Sequence, residues 1–105
     1  MKMFFVMYRY RDEANLATSK SFTNVEDANK YANGVHPMNN PFVVSTDKKD
    51  HVFGGKCFVL YTNSDGKIDN ISRQEFDSWE LAENYANGIN KEKETYKAMA
   101  VGSIN

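Results

Sequence analysis

FTNVEDANKYANG, residues 22–34, returns as FDSWELAENYANG, residues 76–88. At an offset of 54, seven of thirteen positions are identical: Phe22/Phe76, Glu26/Glu80, Ala28/Ala82, Tyr31/Tyr85, Ala32/Ala86, Asn33/Asn87 and Gly34/Gly88. An internal repeat on this scale points to one supersecondary unit written twice. Each copy reads as a helix with both ends marked. Thr23 and Asp77 stand as N-caps, with Glu26 and Glu80 at the capping-box spacing, and Phe76 with Leu81 adds the spacing of a hydrophobic staple. Val25, Ala28 and Ala32 share one helical face, as do Trp79, Ala82, Ala86 and Ile89. Gly34 and Gly88 follow as helix stops, which makes each helix about three turns long.

The repeat extends outward. FFVMY, residues 4–8, aligns with CFVLY, residues 57–61. Met3–Arg11 is a strand, Asp12–Asn15 a turn and Leu16–Phe22 a return strand. After a loop with Pro37 and Pro41 comes a short apolar strand, Phe42–Thr46. Val52 and Phe53 are apolar and expected to pack before Gly54-Gly55 breaks the chain. In the second half, Ser64-Asp65-Gly66 is a hairpin turn, Lys67–Ser72 the return strand, Lys91–Glu94 a charged loop, Thr95–Val101 the last strand and Gly102–Asn105 a tail. The pattern predicts a single α+β domain over 1–105. It consists of tandem ββαβ halves, 1–47 and 54–105, joined by a connector, 48–53, and related by a pseudo-twofold axis. Two helices then cover one face of a mainly antiparallel sheet. If the return strands are short edges, the remaining order is βαββαβ, which is ferredoxin-like, and right-handed crossovers place both helices on one side. The alignment puts Phe5, Met7, Phe58 and Leu60 on one face and Val6, Tyr8, Val59 and Tyr61 on the other. The first set is expected under the helices and the tyrosines on an open face.

Composition narrows the function classes. Thirteen basic and fourteen acidic residues leave a formal charge of −1, whereas a non-specific nucleic-acid binder carries a basic domain. Cys57 is the only cysteine, so no intramolecular disulfide forms. The apolar run Met3–Tyr8 is too short to cross a bilayer and, lacking a cleavage site, reads as a strand rather than a leader. A cytoplasmic, reduced protein without a membrane partner is expected. Ten lysines against three arginines, with twelve asparagines, suit an AT-rich coding sequence of bacterial or phage type.

Nothing in the sequence assembles catalytic chemistry. His36 precedes a proline, His51 closes the charged DKKDH run (47–51), and Cys57 lies in an apolar strand as a small buried hydrophobe. CxxC and HxxxH spacings are absent, and Gly54-Gly55 lacks the phosphate-loop signature. The expectation is no enzyme, no metal and no cofactor. GKCFVLY, residues 55–61, resembles part of the RNP1 segment of RNA recognition motifs at Gly55, Phe58, Val59 and Tyr61. Lys56 and Cys57 stand where that motif carries an aromatic and a Gly or Ala. The resemblance implies base stacking by Phe58 and Tyr61. The open face would carry Tyr8, Tyr10 and Tyr61, with Arg9 and Arg11 near its end and Lys48 and Lys49 at a rim. Tyr and Arg dominate interface energetics. The leading expectation is a small non-catalytic binding protein that modulates a protein partner, of the kind phages and mobile elements use to inhibit a host enzyme. The alternative is a single-stranded RNA- or DNA-binding domain. Two similar sheet edges also allow an edge-strand homodimer.

Overall fold

The computed structural model describes residues 2–62, 68–71, 74–92 and 97–104. Alternation along β1 (Phe4–Tyr10) sets the layering. Successive side chains of a strand point to opposite faces, and Phe4 through Met7 are all buried, so this strand is packed on both sides. Phe4 and Val6 meet α1 (Val25–Asn33) through Ala28 and Ala32. Phe5 and Met7 face the other way, into a cluster with Val44, Phe58, Leu60 and Val101.

The remaining elements are β2 (Glu13–Leu16), β3 (Phe42–Ser45), β4 (Cys57–Thr62), β5 (Ile68–Ile71), α2 (Trp79–Glu92) and β6 (Lys97–Ser103). Short 3-10 turns lie at Pro37–Asn39 and Lys48–Asp50. The strands form one sheet in the order β2-β1-β3-β6-β4-β5, antiparallel at every pairing. The sheet curls until its outer strands, β2 and β5, touch. The result is a mixed α+β domain: a curled antiparallel sheet with two helices packed against its outer face. No helix among the described residues is long and apolar enough to cross a membrane.

This strand order departs from the ferredoxin-like expectation. There, the strands flanking a helix are parallel and separated by a third; here β1 pairs directly and antiparallel with β3, and β4 with β6. No parallel crossover is made among the described strands, so its handedness rule does not place the helices. The face assignment is also reversed. Phe5, Met7, Phe58 and Leu60 fill the concave interior, and Val6 and Val59, with Phe4 and Cys57, lie under the helices. Neither face is open, because curling covers one and the helices the other.

Local boundaries shift for identifiable reasons. The β1–β2 turn needs only Arg11 and Asp12, which adopt φ of 50° and 65°, the paired left-handed conformations of a two-residue hairpin loop. β2 therefore begins at Glu13, not Leu16. Asn24 rather than Thr23 caps α1: its Oδ1 accepts the Asp27 amide at 2.8 Å, and its amide donates to Asp27 Oδ2 at 3.0 Å. Ser78 rather than Asp77 caps α2, accepting the Leu81 amide at 3.2 Å. Gly34 ends α1 with an ordinary right-handed φ of −83°, but Gly88 lies within α2, which runs on to Glu92. Leu81 is exposed and staples nothing. Phe76 stacks instead on Tyr85, centroids 5.3 Å apart, as Phe22 does on Tyr31 at 5.7 Å. Gly102 and Ser103, expected in a tail, belong to β6 and are buried. The Ser64-Asp65-Gly66 turn and the segment 93–94 lie outside the described residues.

Candidate interaction site at the connector loop

The segment between β3 and β4 is short, polar and densely tied down. Ser45, fully buried at the end of β3, donates its hydroxyl to Asp50 Oδ2 at 2.8 Å and accepts the Asp47 amide at 3.0 Å. Asp47 Oδ1 accepts the Lys49 amide at 2.9 Å, capping the 3-10 turn. Asp50 also pairs with Lys2 at 3.3 Å. Both acids of the run are therefore used internally, while Lys48 and Lys49 lie at the surface beside them.

His51 carries the next tie. Its Nδ1–H donates to the Ser103 carbonyl at 2.9 Å. That tautomer leaves Nε2 to accept the Cys57 thiol at 3.3 Å. The ring sits 6.1 Å from Trp79. Nucleophile, base and orienting carbonyl thus have the order of a catalytic dyad. Cys57, however, is fully buried, and desolvation pushes its thiol up to about 11, so at neutral pH it is a protonated thiol rather than a nucleophile. The pair clasps the connector to the sheet. His36 caps the other 3-10 turn, accepting the Met38 amide at Nδ1. Among the described residues no three His, Cys, Asp or Glu side chains converge as metal ligands.

Beyond His51, Val52 donates to the same Ser103 carbonyl at 3.1 Å, and the Gly55 amide closes a turn onto the Val52 carbonyl at 3.1 Å. Gly54 takes φ +82°, the third-position conformation of a type II turn. This leaves Phe53 at the tip with its whole surface in solvent, 107% of the reference exposure. The expectation that Phe53 packs fails because the turn geometry points it outward. The Gly pair after an aromatic is the available signal, because Gly at that position lifts the preceding residue to the crown of the turn.

Beside this turn lies a cleft of about 320 Å³ lined by Arg9, Asn40, Phe42, Gly54, Gly55 and Lys56. The Arg9 guanidinium stacks over Phe42 at 5.3 Å and Phe58 at 6.0 Å and pairs with Glu75. Lys56 pairs with Asp77, and that hydrogen bond raises the lysine and lowers the carboxyl from their ordinary values.

Of the residues singled out in the sequence, Arg9 therefore joins the connector at one end of the sheet. Tyr8 and Tyr10 continue the Phe4–Val6 side of β1. Tyr10 is 56% exposed, and Arg11 stacks on its ring at 5.4 Å. Tyr61 does not join them. It packs against the α2 cluster and is pushed up to about 12 by burial and by its hydrogen bond to Tyr85. Phe58, its companion in the RNP1-like stretch, is fully buried in the interior. The two aromatics face opposite ways, so the strand offers no stacking platform. Protein-family models, curated proteins and solved structures were all compared with the chain, and none matches it.

Proposed function

We propose that this chain is a small binding protein that docks on a protein partner through the connector loop, with Phe53 as the anchor and Lys48 and Lys49 beside it. The observation that carries the reading is the full exposure of Phe53 on a turn braced by neighbouring hydrogen bonds to Ser45, Asp47, Asp50, Val52 and Ser103. Burying a Phe side chain yields roughly 1.5–3 kcal/mol, and a pre-organised loop spends little ordering entropy when it binds. Charge favours an acidic partner surface, since the acids of the loop are turned inward to its own hydrogen bonds and its lysines are not. Modulation or inhibition of a host enzyme is a natural role for such a domain. The finer architecture belongs to the same reading. The bridges Phe4–Phe22 and Cys57–Phe76 occupy equivalent positions in the two sequence copies, and the strand order reads outward in the same sense from the β3–β6 seam, which supports a duplicated ββαβ unit with pseudo-twofold symmetry. The duplicated parts then form scaffold, and the unduplicated connector carries recognition.

The test is a photo-crosslinking amino acid at position 53, expressed in source cells, with the same probe at exposed Leu81 as control. A single protein adduct from position 53, absent from 81 and reduced by Lys48→Glu/Lys49→Glu, is expected. Phe53→Ala should weaken the isolated complex by about 2 kcal/mol, the scale of an interface hot spot, without lowering thermal stability. An adduct destroyed by nuclease, or identical adducts from both positions, would overturn the assignment.

A further inference from the structure

Tyr-Ala-Asn-Gly occurs twice, at residues 31–34 and 85–88, each time before a β-branched residue, Val35 or Ile89. Asn-Gly is the dipeptide most prone to cyclise, because glycine has no Cβ to hinder its amide nitrogen or restrict its backbone. The two copies are chemically equivalent, and the fold treats them differently. Asn33 is the last residue of α1, and Asn33 and Gly34 are both exposed. The Gly34 amide donates to the Tyr31 carbonyl at 3.0 Å, and the Val35 amide to the Ala32 carbonyl at 3.0 Å. These are the closing bonds of a helix end, where fraying is easiest. Asn87 is also exposed, but α2 continues past it to Glu92. The Gly88 amide is therefore engaged in the helical ladder. Beyond it Ile89 packs against the α2 cluster, and the Asn90 side chain holds both the amide and the carbonyl of Ala98, at 2.7 and 3.0 Å.

We propose that Asn33 is a site of spontaneous conversion to aspartate and isoaspartate, and that the fold protects Asn87 from the same reaction. The only co-reactant is water. The Gly34 amide nitrogen loses its proton to solvent base and attacks Asn33 Cγ. A C–N bond forms, the Cγ–Nδ2 bond breaks, and the side-chain nitrogen takes up a proton and leaves as ammonia. Water then opens the cyclic imide. Hydrolysis at Cγ leaves aspartate; hydrolysis at the main-chain carbonyl leaves isoaspartate, with an extra carbon in the backbone. Neither step is a redox step. To reach Cγ, the Gly34 nitrogen must leave its hydrogen bond and Asn33 ψ must leave the helical range. At the end of α1 that movement opens only the closing turn, whose freed groups water can satisfy. In α2 it would swing the rest of the helix away, exposing Ile89 and breaking both Asn90 bonds. Either product places a carboxylate at the C-terminus of α1, the negative end of the helix dipole, and so loosens the turn that seats buried Ala32. The site shares no residue with the connector loop, and its success or failure is independent of the docking assignment above.

The experiment holds the whole chain in mildly alkaline buffer, folded or in guanidinium chloride, and digests samples at intervals. Trypsin separates the two copies into peptides 31–48 and 74–91, and electron-transfer fragmentation locates aspartate and isoaspartate within each. In denaturant the two asparagines should react at the same rate. In the folded chain Asn33 should react about tenfold faster than Asn87, the factor given by the net loss of one or two hydrogen bonds. Native-state hydrogen exchange should rank the amides the same way, with Gly88 protected about tenfold more than Gly34. Asn90→Ala should speed the reaction at Asn87 and leave that at Asn33 unchanged. Asn33→Gln should remove the early acid from peptide 31–48, because the longer side chain closes its ring far more slowly. The proposal is overturned if Asn33 and Asn87 react equally in the folded chain, or if Asn33 stays intact there while it reacts in denaturant. It is equally overturned if the acid in peptide 31–48 arises at Asn39 or Asn40 instead, if Gly34 is as protected as Gly88, or if Asn90→Ala leaves Asn87 as slow as before in a chain of unchanged circular dichroism.

Discussion

At Gly102 a methyl group would stand 2.5 Å from His51 Nδ1 and 3.0 Å from Trp79 Cε3. Glycine is needed there so that the imidazole can lie against β6, and the imidazole in turn shields Cys57. Gly102→Ala should cost about 1–3 kcal/mol, the usual scale of overpacking. It should also speed alkylation of Cys57 in the native state, measured by mass spectrometry, because the displaced ring no longer covers the sulfur. The thiol has a second consequence. Burial raises it from 9.0 to about 11. Between those values the unfolded chain has released a proton that the folded chain keeps, so stability is whole below pH 9 and falls as pH rises toward 11. Two pKa units correspond to a loss on the order of 2–3 kcal/mol. Tyr61, raised from 10.0 to about 12 by burial first and Tyr85 second, adds its own loss above pH 10. Urea midpoints in Cys57→Ala should therefore decline less between pH 9 and 10 than those of the parent, with the decline above pH 10 retained.

At the scale of elements, α2 separates local signals that tertiary context leaves intact from those it overrides. Gly88 sits in the helix interior, and a Cβ added there would meet nothing within 4 Å. Gly88→Ala should stabilise the protein by about 0.5–1 kcal/mol, a rise in melting temperature that calorimetry would detect; a fall would mean that the helix breaks there after all. Ser78→Ala should cost about 1 kcal/mol as loss of a cap. Asp77→Ala should cost much less, because its carboxylate serves an exposed pair with Lys56 and not the helix end. Asn90 shows a contact that no local pattern announces. Its side chain accepts the Ala98 amide at 2.7 Å and donates to the Ala98 carbonyl at 3.0 Å, so the last turns of α2 are held to the start of β6. In both copies the cap lies one residue beyond the position that spacing alone selects. Adjacent polar residues, Thr23-Asn24 and Asp77-Ser78, offer equivalent chemistry, and only the direction of chain entry chooses between them.

Across the whole molecule, Arg9 joins the halves. It leaves β1, stacks on Phe42 and Phe58, and pairs with Glu75 from the far side of the sheet. Both partners are about a quarter to a third exposed, so the ionic part is screened and the packing part is not. Glu75→Gln should change stability by less than about 1 kcal/mol. Arg9→Ala should cost more, because the side chain also covers aromatic surface. The difference between the two variants should persist at high salt if the stacking outweighs the charge.

The repeat, the two helices, their alanine faces and the apolar strands around residues 4–8 and 57–61 follow from the sequence itself, because helical and strand periodicities are properties of a few neighbouring side chains. Strand partners are not. Each half proposes β-α-β, but whether the third strand lies beside the first or beyond another depends on contacts between residues far apart in the chain. In β1 and β4 both alternating sets are apolar, FFVM and CFVL, so periodicity carried no information about which set faces the helices. Tertiary structure decided this by placing the small alanines of α1 and α2 over Val6 and Val59 and by curling the sheet around the bulkier Phe5, Met7, Phe58 and Leu60. It likewise decided the candidate sites. The connector is legible as charged, yet the outward projection of Phe53 arises because Ser103, brought from the other end of the chain, holds His51 and Val52 and leaves the turn beyond them nowhere to go but into solvent.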